Sequence, residues 1–150
     1  MAAMQNSRDP FYSLFNPRSV AVIGASPNPM RMGHQCLLSL KGSSFPGPIY
    51  PIHLQKKDIL GMPTYPDLLQ VPGEVDLAIL VVPASGAIPA LLACQEKNVR
   101  GAVIITAGFR EIESPMGAAL QEEMAAVANQ AGIKIIGPNT FGMANIHACL

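Results

Sequence analysis

Charge is scarce in this chain: 13% of its 150 residues are charged against 49% hydrophobic, with equal numbers of acids and bases. That composition supplies one sizeable core and leaves little room for a second domain. Net neutrality gives no reason to expect a nucleic-acid partner. No apolar run approaches the roughly 20 residues of a membrane span, and the N-terminal MAAMQNSRDP lacks the apolar centre of a signal peptide. No membrane partner is expected, and the setting reads as cytoplasmic. The three cysteines, Cys36, Cys94 and Cys149, are far apart and form no CxxC pair, which argues against zinc or redox work and for reduced structural thiols. A Ser-His-Asp spacing, a metal-ligand cluster and a paired-carboxylate site are all missing, as are internal repeats, low-complexity tracts and long linkers.

One absence is local. From Pro10 to Lys57 there is no Asp or Glu, while five bases fall there: Arg18, Arg31, Lys41, Lys56 and Lys57. The first third of the chain is cationic, either as a solvated basic face or as a seat for an anion.

The stretch that is richest in information is SVAVIGASPNPMRMG, Ser19 to Gly33. An apolar strand stops at Gly24, and a loop runs into a helix. The glycine permits a sharp turn, and the free N–H groups of the following helix point at an anion, so phosphates bind at such places. A dinucleotide fingerprint would read GxGxxG, whereas the second position after Gly24 is Ser26, followed by Pro27, Asn28 and Pro29. The acid expected about 20 residues further on, which would bond the ribose hydroxyls of NAD, is also missing. In its place stand His53, Leu54, Gln55, Lys56 and Lys57, which suit a phosphorylated ribose better than a free one.

Five strand candidates, at 19–24, 48–53, 75–82, 100–106 and 133–137, alternate with helical segments near 31–41, 65–70, 85–98 and 115–131. Runs such as DLAILVV and GAVIITA are apolar nearly throughout, as strands buried on both faces are. The pattern predicts an α/β, Rossmann-like doubly wound fold: a five-stranded parallel sheet with helices on both faces. The last helix has the clearest ends, with Ser114 as cap, Pro115 in the first turn and Gly132 as the stop. FYSLFNPRS reads as a short helix or turn resting on the sheet through Phe11, Leu14 and Phe15.

Ligands of this architecture bind outside the carboxyl ends of the strands. The segments leaving those ends are GASPNPMR, HLQKK, VPASG, TAGFRE and GPNTFG, and four of the five combine Gly with Pro, Ser, Thr or Asn. Val82-Pro83 stiffens the exit from the third strand and offers an apolar wall. Glu111 and Glu113 flank the TAGFRE loop, where they either orient a ligand group or simply face solvent.

Taken in order, LFNPRSVAVIGAS, ILGMPTYPDL, VDLAILVVPAS, GAVIITAGFRE and GIKIIGPNTFG resemble the N-terminal CoA-binding domain of the NDP-forming acyl-CoA synthetases, the superfamily of the succinyl-CoA synthetase α-subunit. The resemblance covers almost the whole chain. It implies an N-terminal extension packed on the domain at 1–17, a CoA-binding domain at 18–144, and the start of a linker at 145–150. Coenzyme A would lie across the strand ends, on Gly24 and Ala25, with Ser26, Asn28 and Arg31 at its phosphates and His53 and Lys56 beside the ribose. Val82 and Pro83 would line the nucleotide or pantetheine, Thr106, Ala107 and Gly108 the thiol-bearing arm, and Asn139 the catalytic end.

Two departures stand out. Relatives usually carry Asn-Pro-Lys after the second strand, where this chain has His53, Leu54 and Gln55, and often Cys where it has Thr140. In the family a phosphorylated histidine on a following domain and an ATP-grasp domain carry phosphate to the acid, and neither lies in these residues. Of His34, His53 and His147, only His34 stands near a loop that would stabilise a phosphoryl group, and no acid adjoins it, so it reads as a ligand neighbour or spectator. No residue here is expected to be catalytic and no metal is expected. The implied whole reaction joins acid, CoA and nucleoside triphosphate to give acyl-CoA, nucleoside diphosphate and phosphate. The alternatives are a CoA- or acyl-CoA-sensing module, stand-alone or fused to an acetyltransferase, and an NAD- or NADP-dependent redox domain; a homo-oligomeric state is left open.

Overall fold

The computed structural model describes residues 10–55 and 57–150. A short helix, α1 (Pro10–Phe15), leads into β1 (Val20–Ile23), α2 (Met32–Gly42) and β2 (Ile49–Ile52). A small hairpin follows, β3 (Asp58–Ile59) and β4 (Met62–Pro63), and then a 3-10 turn at Leu68–Gln70. The second half runs β5 (Leu77–Leu80), α3 (Ala84–Glu96), β6 (Gly101–Ile104), a 3-10 turn at Arg110–Ile112, α4 (Pro115–Ala131) and β7 (Lys134–Ile136).

The five longer strands form one parallel sheet in the order β2-β1-β5-β6-β7. Both of its faces are buried, which is why the strands carry no polar alternation. Ala21, Ala78, Leu80, Ala102 and Ile104 pack toward Leu91 and Cys94 of α3, Met124 of α4, and Phe109. The intervening residues Val20, Val22, Leu77 and Val103 face Leu14 of α1 and Leu37 and Leu40 of α2. Segment 145–150 folds back on this second face: Ser43 Oγ donates to the Cys149 carbonyl at 2.6 Å, and Asn145 Nδ2 to the Phe15 carbonyl at 2.7 Å.

Three local expectations need correction. The helix expected at 65–70 shrinks to the 3-10 turn, because Tyr65 precedes Pro66 and a residue before proline is driven to extended geometry. Tyr65 instead bridges Ile52 in parallel, and Asp67 Oδ1 caps the turn by accepting from the N–H groups of Leu69 and Gln70. The β3–β4 hairpin was not foreseen; Leu60 and Gly61 both take positive φ there, 56° and 77°, as a tight two-residue hairpin turn demands. Of the three apolar contacts expected from α1, Leu14 is buried, while Phe11 and Phe15 are 54% and 44% exposed, and the Phe11 ring lies 5.2 Å from the Lys134 ammonium. The ends of α4 are as expected: Ser114 Oγ accepts from Gly117 N–H at 2.9 Å, and Gly132 closes the helix in the left-handed region.

Candidate functional site

The chain leaves β1 toward β2 on one side and returns to β5 on the other, so the strand order reverses between β1 and β5. A crevice opens at their carboxyl ends, where sheets of this kind bind ligands. Its floor is main chain. Gly24 ends β1 with φ +94°, and a Cβ there would fall 2.1 Å from the Val81 carbonyl oxygen. Gly33, in the first turn of α2, sits so close that its Cβ would fall 2.0 Å from the Gly24 carbonyl oxygen. Gly33 thus provides the close helix-to-strand approach that the last glycine of a dinucleotide fingerprint provides, across a longer loop. Its role was missed in the sequence, although a glycine inside a helix's first turn is costly enough to ask for a reason.

Two clefts meet over this floor, with Gly24 and Val82 lining both. One, of about 520 Å³, is walled by Ile52, His53, Leu54, Asp67, Gly86 and Ala90 and is largely apolar. The other, of about 470 Å³, is walled by Ser26, Arg31, Gly33, Pro83, Ile105 and Thr106. An apolar compartment joined to one that carries a cation and a helix N-terminus suits a ligand with a flat base or chain attached to phosphates.

The loop from Ser26 to Met30 is shaped by its own side chains. Ser26 Oγ accepts from Asn28 N–H at 3.1 Å, and Asn28 Oδ1 accepts from Met30 N–H at 2.9 Å. Ser26 and Asn28 therefore order the loop, and Ser26 also borders the cleft, which sequence position alone did not show. His34, 8% exposed, donates from Nδ1 to the Ser26 carbonyl at 3.0 Å and pins the loop to α2. No side chain caps α2; Arg31 stands at its N-cap, exposed, and no acid among the described residues pairs with it. Ala25 reaches the cleft wall, but its side chain is buried in the second-face core.

Two bases of the cationic first third, Arg18 and Lys41, are engaged elsewhere. Arg18 lies at the opposite end of the sheet, where its Nε donates to Asp76 Oδ2 at 3.1 Å and a second nitrogen reaches Glu74 at 3.5 Å. Its pKa is raised, chiefly by the Asp76 bond and charge. Lys41 is spent on the Leu60 carbonyl at 2.7 Å, holding the hairpin turn. Arg31 remains at the cleft. Lys56, the expected ribose-side lysine, lies outside the described residues. His53 lines the apolar cleft, its Nδ1 accepting from Gln55 N–H at 3.1 Å.

The remaining loops hang together from one residue. Thr106, 8% exposed, donates from Oγ1 to the Val82 carbonyl at 2.7 Å, and its own carbonyl accepts from Asn139 N–H at 2.9 Å. The exits of β5, β6 and β7 are thereby joined, and Ala107 and Gly108 form the tip beside them. Among the described residues no group of three His, Cys, Asp or Glu side chains is placed to hold a metal. No helix among them is long and apolar enough to cross a membrane.

Comparison with known proteins supplies the family. The CoA binding domain family matches residues 18–146. The chain belongs to that family. It is 43% identical over 136 residues to the α subunit of ADP-forming acetate-CoA ligase II of Pyrococcus furiosus, covering 91% of this chain and 29% of that protein. It is 45% identical over 132 residues to the ADP-forming acetate-CoA ligase I of Archaeoglobus fulgidus, covering 88% of this chain and 19% of that one. Among solved structures it matches the dinucleotide-forming acetyl-coenzyme A synthetase 1 of Ca. Korarchaeum cryptofilum, in complex with phosphate and ADP, with a TM-score of 0.87 and 36% identity over 91% of this chain and 29% of that one. The chain spans less than a third of the length of these relatives. The CoA binding domain accordingly has the α/β, five-stranded parallel architecture expected from its sequence.

Proposed function

We propose that this CoA binding domain serves an ADP- or NDP-forming acyl-CoA ligase, in which it holds CoA and presents the thiol to an acyl phosphate made elsewhere in the enzyme. The observation that carries the reading is the double cleft at the β1/β5 switch point, with a main-chain floor, an uncapped helix and an unpaired Arg31 at one side and an apolar chamber at the other. These residues fit CoA. The α2 N-terminus and Arg31 suit its phosphates, Ile52, Val82 and Ala90 its base, and the Thr106–Gly108 tip its pantetheine arm.

In the proposed reaction the CoA sulfur attacks the acyl carbon, the C–S bond forms, the bond from that carbon to the phosphate oxygen breaks, and inorganic phosphate leaves. This chain's share is positioning, which lowers the barrier by fixing the thiol relative to its target. The boundaries 1–17, 18–144 and 145–150 are proposed for extension, domain and linker. The partners are the phosphohistidine-bearing and ATP-grasp domains such ligases use, with self-association into a homo-oligomer as a further proposal. Three free cysteines suit a reducing, cytoplasmic setting.

Calorimetric titration with CoA, dephospho-CoA, NAD and NADP at one salt concentration tests the reading. CoA binding that weakens without the 3′-phosphate supports it, and preference for a nicotinamide nucleotide overturns it. A CoA- or acyl-CoA-sensing module would bind CoA equally well and is separated by whether the chain supports acyl-CoA formation when supplied with the phosphohistidine-bearing and ATP-grasp domains.

A further inference from the structure

The TAGFRE loop is held by its own acid. Glu111 turns back along the loop so that Oε1 accepts from Gly108 N–H at 2.5 Å and from Phe109 N–H at 3.1 Å, while Oε2 also lies 3.2 Å from Phe109 N. One carboxylate thus takes up two successive main-chain donors. On either side the chain is fixed. Phe109 is fully buried in the core beneath α3 and α4, and Thr106 is tied to Val82. Between these anchors Ala107 is exposed and Gly108 half-buried, with Gly108 at φ +107° and pressed against Ala84, where a Cβ would come within 3.1 Å. Within that span Glu111 holds the N–H groups of both Gly108 and Phe109.

We propose that Glu111 is a positioning residue of the CoA site: by gripping the Gly108 and Phe109 amides it sets the shape of the Ala107–Gly108 tip against which the pantetheine arm rests. The inference rests on the CoA reading above. The grip acts on the arm and not on the nucleotide, because the phosphates belong to the α2 side of the crevice and the tip to the β6 side. Glu111 takes no proton and touches no reacting atom; it works through the peptide it holds. A carboxylate accepts two N–H groups better than a side-chain amide does, since the amide has one accepting oxygen and brings two donors of its own toward donors. The negative charge also sits where an anionic fragment would otherwise dock on the paired amides, which keeps phosphates at the Arg31 side.

The test is titration of wild type and Glu111→Gln with CoA and with adenosine 3′,5′-bisphosphate, the part of CoA that lacks the arm. Loss of a charge-assisted contact predicts that CoA binding weakens about tenfold in the variant. Binding of the bisphosphate should be unchanged. Equal weakening of both ligands would mean a general structural defect and would overturn the proposal, as would unchanged CoA affinity. Failure of wild type to bind either ligand would overturn the CoA reading and this inference with it. Independently of the variant, the amide resonances of Gly108 and Phe109 in the wild-type chain should titrate together in acid, following the Glu111 carboxyl; amides that ignore that titration would sink the grip itself.

Discussion

The first turn of α2 rests directly on the residue that follows β1: a Cβ on Gly33 would lie 2.0 Å from the Gly24 carbonyl oxygen. Neither partner in that contact is a flexible side chain, so nothing can step aside without moving a helix or a strand. Gly33→Ala is expected to destabilise the fold by about 1–3 kcal/mol through overpacking. At roughly 2–4 °C of Tm per kcal/mol for a chain of this size, a thermal melt reads it directly. CoA affinity should fall with it, because the shifted helix carries the phosphate-facing N–H groups. A variant as stable as wild type would show that the close approach is not tight.

Arg31 tests the electrostatic side of the crevice. Arg31→Ala should weaken CoA by about 1.5–3 kcal/mol if the guanidinium meets a phosphate. The loss should be smaller for dephospho-CoA if that phosphate is the 3′ one. Equal losses would place Arg31 on the diphosphate instead, and the remaining affinity of the variant should depend less steeply on salt.

A control lies at the far end of the sheet. Ser19, 5% exposed, donates to the Glu74 carbonyl at 2.8 Å and accepts from Asp76 N–H at 3.0 Å. Ser19→Ala removes both and strands a main-chain donor and acceptor, for about 1–3 kcal/mol of stability. Its effect on CoA affinity should be nil at temperatures where both proteins are folded. A change in affinity would indicate that stability and binding are coupled along β1.

Thiol labelling should rank the cysteines. Burial pushes Cys94 up to about 12 and also raises Cys36. The thiolate is the reactive form. In the native protein near neutral pH, Cys94 should therefore resist alkylation until the chain unfolds, and its labelling rate should track global opening. Prompt modification of Cys94 would contradict its place on the buried face of α3.

Acid should loosen the TAGFRE loop. The bond from Gly108 N–H, helped by that from Phe109 N–H, holds the Glu111 carboxyl below its ordinary value of 4.5. The folded chain favours the carboxylate more than the unfolded chain does, so the contribution is complete above the ordinary glutamate range and drains away as pH falls through the depressed folded value. Melts from about pH 6 down to about pH 3 should show a steeper acid loss in wild type than in Glu111→Gln. Parallel curves would mean that Glu111 ionises in the fold as it does in the open chain.

Much of the fold was legible because burial on two faces writes itself into composition: VAVI, LAIL and GAVI admit little but buried parallel strands. The loops were harder for a physical reason. Sequence shows which residue types stand at a strand exit, but not which of them are used up inside the loop. Ser26 and Asn28 read as ligand contacts and prove also to be the loop's own scaffold. Arg18 and Lys41 read as part of a cationic unit, yet partners 58 and 19 residues away claim them. Asp67 was invisible as a cleft residue because Tyr65-Pro66 bends the chain back toward β2, a tertiary event.

The seat at the β1/β5 exit is made of peptide groups, and a peptide group is the same whichever residue bears it. Such a seat asks of its sequence mainly that two positions, Gly24 and Gly33, carry nothing at all. Side chains around it can change without altering that main-chain floor. What the seat requires of its sequence is a gap rather than a group that fills one.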